Sequence, residues 1–134
     1  MFKHLLLTGL AALILCGCGQ QTDTPNTDID VARTFIKTIQ ENKFKEASAW
    51  VLSNETNKQY FELFEKHFES KSTDELNNYK NADIIINEIS NVSDSVTVIN
   101  YSNSYKKDAK NKLKVVKVNG RWLIDLQYTF SGNL

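Results

Sequence analysis

Proline occurs once in this chain, at Pro25, and histidine twice, at His4 and His67. Cysteine is confined to Cys16 and Cys18. So few soft or imidazole donors, with no carboxylate or histidine pair at metal spacing, supply no four-ligand zinc set, and no metal is expected. The five glycines are scattered, which excludes a glycine-rich phosphate cradle, and no cofactor motif appears. A serine triad would lack a nucleophile elbow and rest on His67 alone. The 16 basic and 16 acidic side chains cancel, unlike the positive excess of a nucleic-acid binder. No apolar run approaches the roughly 20 residues of a membrane-spanning helix.

What is present begins at the N-terminus. Lys3 and His4 precede residues 5–15, which are apolar except for Thr8 and Gly9, and the chain turns polar at Gln20. A basic start followed by about 7–15 apolar residues is the plan of a secretory signal. A disulfide between Cys16 and Cys18 would close a strained ring and stabilise almost nothing. The stretch Leu15-Cys16-Gly17-Cys18 instead resembles the lipobox of bacterial lipoproteins. In that family an aliphatic residue stands three places before the lipidated cysteine and a small residue directly before it. Gly17 suits Cys18, whereas Leu15 would not suit Cys16. The resemblance therefore implies a signal peptide over residues 1–17 and a palmitate-type lipid anchor on Cys18. Two or more acyl chains hold a protein at a bilayer where one does so only marginally. The implied location is the bacterial cell envelope, with the membrane as a partner through the lipid. Gly19 is not the aspartate that retains enterobacterial lipoproteins at the inner membrane, so the periplasmic side of the outer membrane is favoured in a Gram-negative cell.

On that resemblance residues 18–27 would comprise the lipidated cysteine and a polar tether. Its nine residues after Cys18 span about 15–18 Å, close to the radius of gyration of roughly 13 Å expected of the following domain. Residues 28–134 have the length and hydrophobic content of one domain. Ala32, Phe35, Ile36 and Ile39 form a helical stripe, with Asp28 or Asp30 as N-cap. A second helix is expected over FKEASAWVL and a third from about Asn54, carrying Tyr60, Phe61, Phe64 and Phe68. Ser72 with Glu75 is a capping box opening a last short helical segment. From Ala82 the period falls to two, and ADIIINEIS, SVTVINYSNSY, KLKVVKV and RWLIDLQYTF read as four strands. Asn119-Gly120 joins the last two as a type I′ hairpin. In the final strand Trp122, Ile124, Leu126 and Tyr128 should share one face, with Asp125 on the other. The fold class is α+β, with N-terminal helices packed on a four-stranded antiparallel sheet.

The start Asp30, Ala32, Phe35, then Phe44-Lys45-Glu46-Ala47, then Asn119-Gly120-Arg121-Trp122-Leu123-Ile124-Asp125, resembles a family of small bacterial lipoproteins. That family is a domain of unknown function in the nuclear-transport-factor-2-like, cystatin-like superfamily. The resemblance implies a curved sheet wrapped around helices as a cone with a pocket, and it brings no catalytic residues.

Isomerases and dehydratases of that superfamily place a base inside the cone. The candidates here are His67, on the aromatic helix, and Glu88, which alternates with Ile84 and Ile86 and would point inward opposite Tyr101. Trp50, Tyr60, Tyr101, Trp122 and Tyr128 are candidates for lining a pocket. Between Ser104 and Arg121 seven basic side chains face Asp108 alone, and Lys106, Lys107, Lys110 and Lys112 are candidates for contact with anionic lipid. A solvated hairpin whose lysines guard a sheet edge explains the same run. The leading expectation is a non-enzymatic binding or scaffold domain whose partner is a protein or a small apolar ligand, without nucleic acid or cofactor. The alternatives are an isomerase-like enzyme using His67 or Glu88, and an inhibitor or immunity-type protein. Intact-mass analysis of the native protein should find an N-terminus at Cys18 with added fatty acyl mass; an unmodified or different N-terminus removes the anchor.

Overall fold

The stripe of Val31, Ala32, Phe35, Ile36 and Ile39 becomes the buried face of α1 (Asp28–Gln40) in a computed structural model that describes residues 24–130. The signal segment, Cys16, Cys18 and the first part of the tether lie outside the described residues. The N-cap of α1 is Thr27, whose hydroxyl accepts from the Asp30 amide at 3.1 Å, and not an aspartate. Asp28 and Asp30 fall in the first turn, at the positive end of the helix dipole. Asp28 is occupied elsewhere, because its carboxylate accepts from the Thr97 hydroxyl at 2.5 Å and ties the start of α1 to the sheet.

Asn42, at φ +59°, turns the chain into α2 (Phe44–Ala47). The expected second helix is shorter than its sequence suggested: a 3₁₀ turn follows at Ser48–Trp50, and Val51 is extended. Val51 bridges to Ile124 in parallel, and the Leu52 amide donates to the Ile124 carbonyl at 2.8 Å. This contact with the sheet outweighs the helical period. The longest helix among the described residues, α3 (Glu55–Glu69), is capped by Asn54, whose side chain accepts from the Asn57 amide at 2.8 Å. The capping box forms as expected at the start of α4 (Thr73–Lys80), with Ser72 and Glu75 bonded reciprocally at 3.2 and 3.4 Å.

Four strands follow: β1 (Ile84–Ser93), β2 (Val96–Asn103), β3 (Asn111–Val118) and β4 (Arg121–Asp125). They form one antiparallel sheet in the order β1-β2-β3-β4, and the sheet is not closed. Asn119 and Gly120, at φ +51° and +76°, make the tight turn between β3 and β4. The inward residues Ile99, Leu113, Val115 and Ile124 are each at most 1% exposed and meet Val31 and Phe35 of α1 in one hydrophobic core.

The fourth strand ends five residues early, at Asp125, and residues Leu126–Phe130 form α5. Alternation of Leu126 with Tyr128 over so short a segment does not separate strand from helix. The decision comes from α3: Asn57, fully buried, accepts at Oδ1 from the Leu126 amide at 2.6 Å and from the Gln127 amide at 3.1 Å. A side chain from a distant helix thus takes up amides that the first turn leaves without partners. Asp125 points away from Ile124 as expected, yet Lys114 at 3.3 Å and the Asn57 Nδ2 at 3.5 Å cover it.

Removing that acceptor strands two donors, so Asn57→Ala should cost about 2–3 kcal/mol, read as a lower urea midpoint at unchanged slope. At Gly120 nothing lies within 4 Å of an added Cβ. The cost of Gly120→Ala is therefore backbone strain alone, about 1–2 kcal/mol.

Candidate functional site

The end of the core nearest the C-terminus of α1 is open. A cavity of about 300 Å³ is enclosed there by α1, α3, α4, the ends of β2 and β3, and the loop of residues 104–110. Phe64 and Phe68 of α3 form its aromatic wall, backed by Phe44 at ring-centroid distances of 5.8 and 5.6 Å. Tyr79 continues that wall 5.3 Å from Phe68, and Tyr105 stacks edge-on to Tyr79 at 5.3 Å. The loop is fixed by the Asn103 side chain, which accepts from the Lys106 amide at 2.8 Å, and by the Ser104 hydroxyl, which accepts from the Asp83 amide at 2.8 Å.

Few polar groups reach this apolar space. Tyr101 of β2 keeps part of its surface on the cavity, yet its phenol is deep enough that burial, reinforced by Tyr79, pushes it up to about 12. It is therefore a neutral hydrogen-bonding hydroxyl at any physiological pH. Gln40, at the last turn of α1, is 4% exposed, and neither its Nε2 nor its Oε1 has a hydrogen-bond partner. An unsatisfied buried polar group costs about 1–3 kcal/mol. At the mouth, the Lys71 and Lys106 ammonium groups each lie 5.6 Å from the centre of the Tyr79 ring. The Tyr79 phenol, with smaller help from Tyr105 and Glu75, holds the Lys106 proton above its ordinary pKa. His67 also lines the cavity but is solvent-exposed, on its rim.

The residues singled out from sequence are dispersed. Tyr101 lines the cavity; Trp50, Tyr60 and Trp122 pack against the core elsewhere. Trp122 pairs with Lys117, six residues along β3 from the cavity residue Asn111, roughly 20 Å at strand rise. Arg121 covers Trp50 at 5.9 Å, and Lys117 covers Trp122 at 5.6 Å. Tyr128 leaves the inner face because it belongs to α5, and it lines a shallow groove on the outer face with Glu88 and Lys112. Glu88 does not point inward. Asn87 forms a bulge between the pairs Ile86–Tyr101 and Glu88–Asn100, which reverses the alternation and turns Glu88 out.

Lys106 stands at the mouth, Lys107 and Lys110 are exposed on the loop, and Lys114 is paired with Asp125. The basic run is thus divided among the cavity mouth, the outer face and the far hairpin. Sequence reasoning missed Gln40, Lys71, Tyr79 and Asn103. Gln40 had a signal: it falls four residues after Ile36, a polar side chain on an apolar helix stripe.

Comparison with protein-family models, curated proteins and solved structures finds nothing that matches this chain. Among the described residues no group of three His, Cys, Asp or Glu could hold a metal ion, and no helix is long and apolar enough to cross a membrane.

Two measurements follow from this chemistry. Gln40→Leu removes an unsatisfied amide at similar volume and should raise stability by about 1 kcal/mol in urea unfolding. Tyr101 should ionise near 12 in an ultraviolet titration, a step that Tyr101→Phe removes. Its folded pKa lies above the ordinary 10.0, so its share of stability is full below pH 10 and is lost as pH rises through about 12. Tyr101→Phe should abolish that share.

Proposed function

We propose that this chain is a lipid-anchored bacterial envelope lipoprotein whose domain binds a small, partly apolar ligand without transforming it. The anchor rests on the lipobox-like residues 15–18. The binding role rests on the cavity: an aromatic enclosure of about 300 Å³ with a small number of convergent polar groups, at the lower end of the usual size of small-molecule sites. In the same reading the helices and sheet are a nuclear-transport-factor-2-like cone, with this cavity as its open end.

The interior groups favour holding over chemistry. An amide and a phenol that keeps its proton to about pH 12 are donors and acceptors, not bases at neutral pH. Glu88 lies on the opposite face of the sheet, so an isomerase-like mechanism would depend on His67 acting from the exposed rim.

Cell fractionation combined with native mass spectrometry tests both parts. The wild-type chain should be recovered with membranes and carry a small-molecule adduct that Phe64→Ala or Tyr101→Ala weakens. Recovery in the soluble fraction would overturn the anchor, and failure to retain any apolar compound would overturn the binding role.

A further inference from the structure

The ionisable side chains that line the cavity are those of Lys71, Lys106, His67, Tyr79 and Tyr101, and no aspartate or glutamate is among them. Both lysines are half-buried, each with its ammonium 5.6 Å from the centre of the Tyr79 ring. Lys71 has no carboxylate at ion-pair distance among the described residues. Lys106 has Glu75 at 3.9 Å, in a pair 40% and 39% exposed, where such a contact contributes little. A ring face attracts an ammonium group without cancelling its charge, so both cations remain open to an anion. Behind them the space is apolar, walled by Ile36, Ile39, Phe64 and Phe68.

Position and size bear on where the occupant comes from. The cavity lies at the C-terminal end of α1, while the tether enters at Thr27, the length of a 13-residue helix away, about 20 Å. A volume of about 300 Å³ is too small for the two chains of a phospholipid. Resting on the reading of this cavity as a ligand site, we propose that it takes a small amphiphilic carboxylate from solution. A single ring or short chain lies against Phe64 and Phe68, and the carboxylate meets Lys71 and Lys106 beside Tyr79. Carboxylates form charge-assisted hydrogen bonds with ammonium donors, whereas an amine of the same shape would meet two like charges.

Calorimetric titration of the full-length chain in nanodiscs of zwitterionic lipid, with empty nanodiscs as the blank, compares three probes that share one apolar body: 4-phenylbutanoate, 4-phenylbutan-1-ol and 4-phenylbutylamine. The acid should bind roughly tenfold more tightly than the alcohol, and the amine more weakly than either. Lys71→Gln with Lys106→Gln should bring the acid down to the alcohol's affinity while leaving the alcohol unchanged, which also shows that the variant is folded. High salt should narrow the same gap, and Phe64→Ala should weaken all three probes alike. Hexadecanoate placed in the nanodisc bilayer should not displace 4-phenylbutanoate; displacement would make the bilayer the source and overturn the solution origin. Equal affinity for the three probes, a preference for the amine, or an acid preference that survives the double substitution would overturn this inference and leave the cavity as an apolar site. Binding of none would overturn the cavity reading itself.

Discussion

Phe44 packs its ring against Phe61, Phe64 and Phe68 at once, at centroid distances of 5.7, 5.8 and 5.6 Å and in tilted or edge-on geometry. Such arrangements align the positive edge of one ring with the negative face of another. A helix of four residues has no stability of its own, so α2 exists because Phe44 is held there. The same ring seats α3, and through Phe68 and Tyr79 it reaches α4. The cavity wall is the far side of this aromatic cluster. Helix packing and cavity are therefore one construction, and a change that loosens Phe44 reaches the cavity through two rings.

Three carboxamides are buried among the described residues, Gln40, Asn57 and Asn103, and the first two differ sharply in what they do. Asn57 satisfies the first amides of α5 and converts the end of the sheet into a helix. Gln40 satisfies nothing within the protein. Buried polar groups in folded proteins are paired in the great majority of cases, so Asn57 follows the rule and Gln40 is the exception that calls for an explanation. It lies in the wall of the aromatic-lined cavity, at the last turn of α1.

Much of the architecture was legible because it is written locally. The stripe of α1, the Ser72–Glu75 box and the Asn119-Gly120 turn each depend on residues within one or two turns of chain. The errors arose where a distant partner decided the outcome. Val51 left its helix for Ile124, residues 126–130 left their strand for Asn57, and one extra residue at Asn87 reversed the facing of Glu88. The cavity was the least legible part. Its groups come from α1, α3, α4, two strands and a loop, and no spacing along the chain brings Gln40, Tyr101 and Lys106 together. Only Tyr101 among the expected lining aromatics is found there.

The two margins of the open sheet are treated differently. On one side β4 is covered by the segment at Val51 and Leu52. On the other, β1 is ten residues long and carries Ile89 and Val92 at 46% and 65% exposure. A straight strand of that length would be a template for a second chain. The bulges at Asn87 and Val92 interrupt its ladder at two points and leave no long regular row of amides and carbonyls to copy. Molecules concentrated side by side are thereby kept from zipping into a continuous sheet, a safeguard built from backbone irregularity where hydrophobic side chains could not be spared.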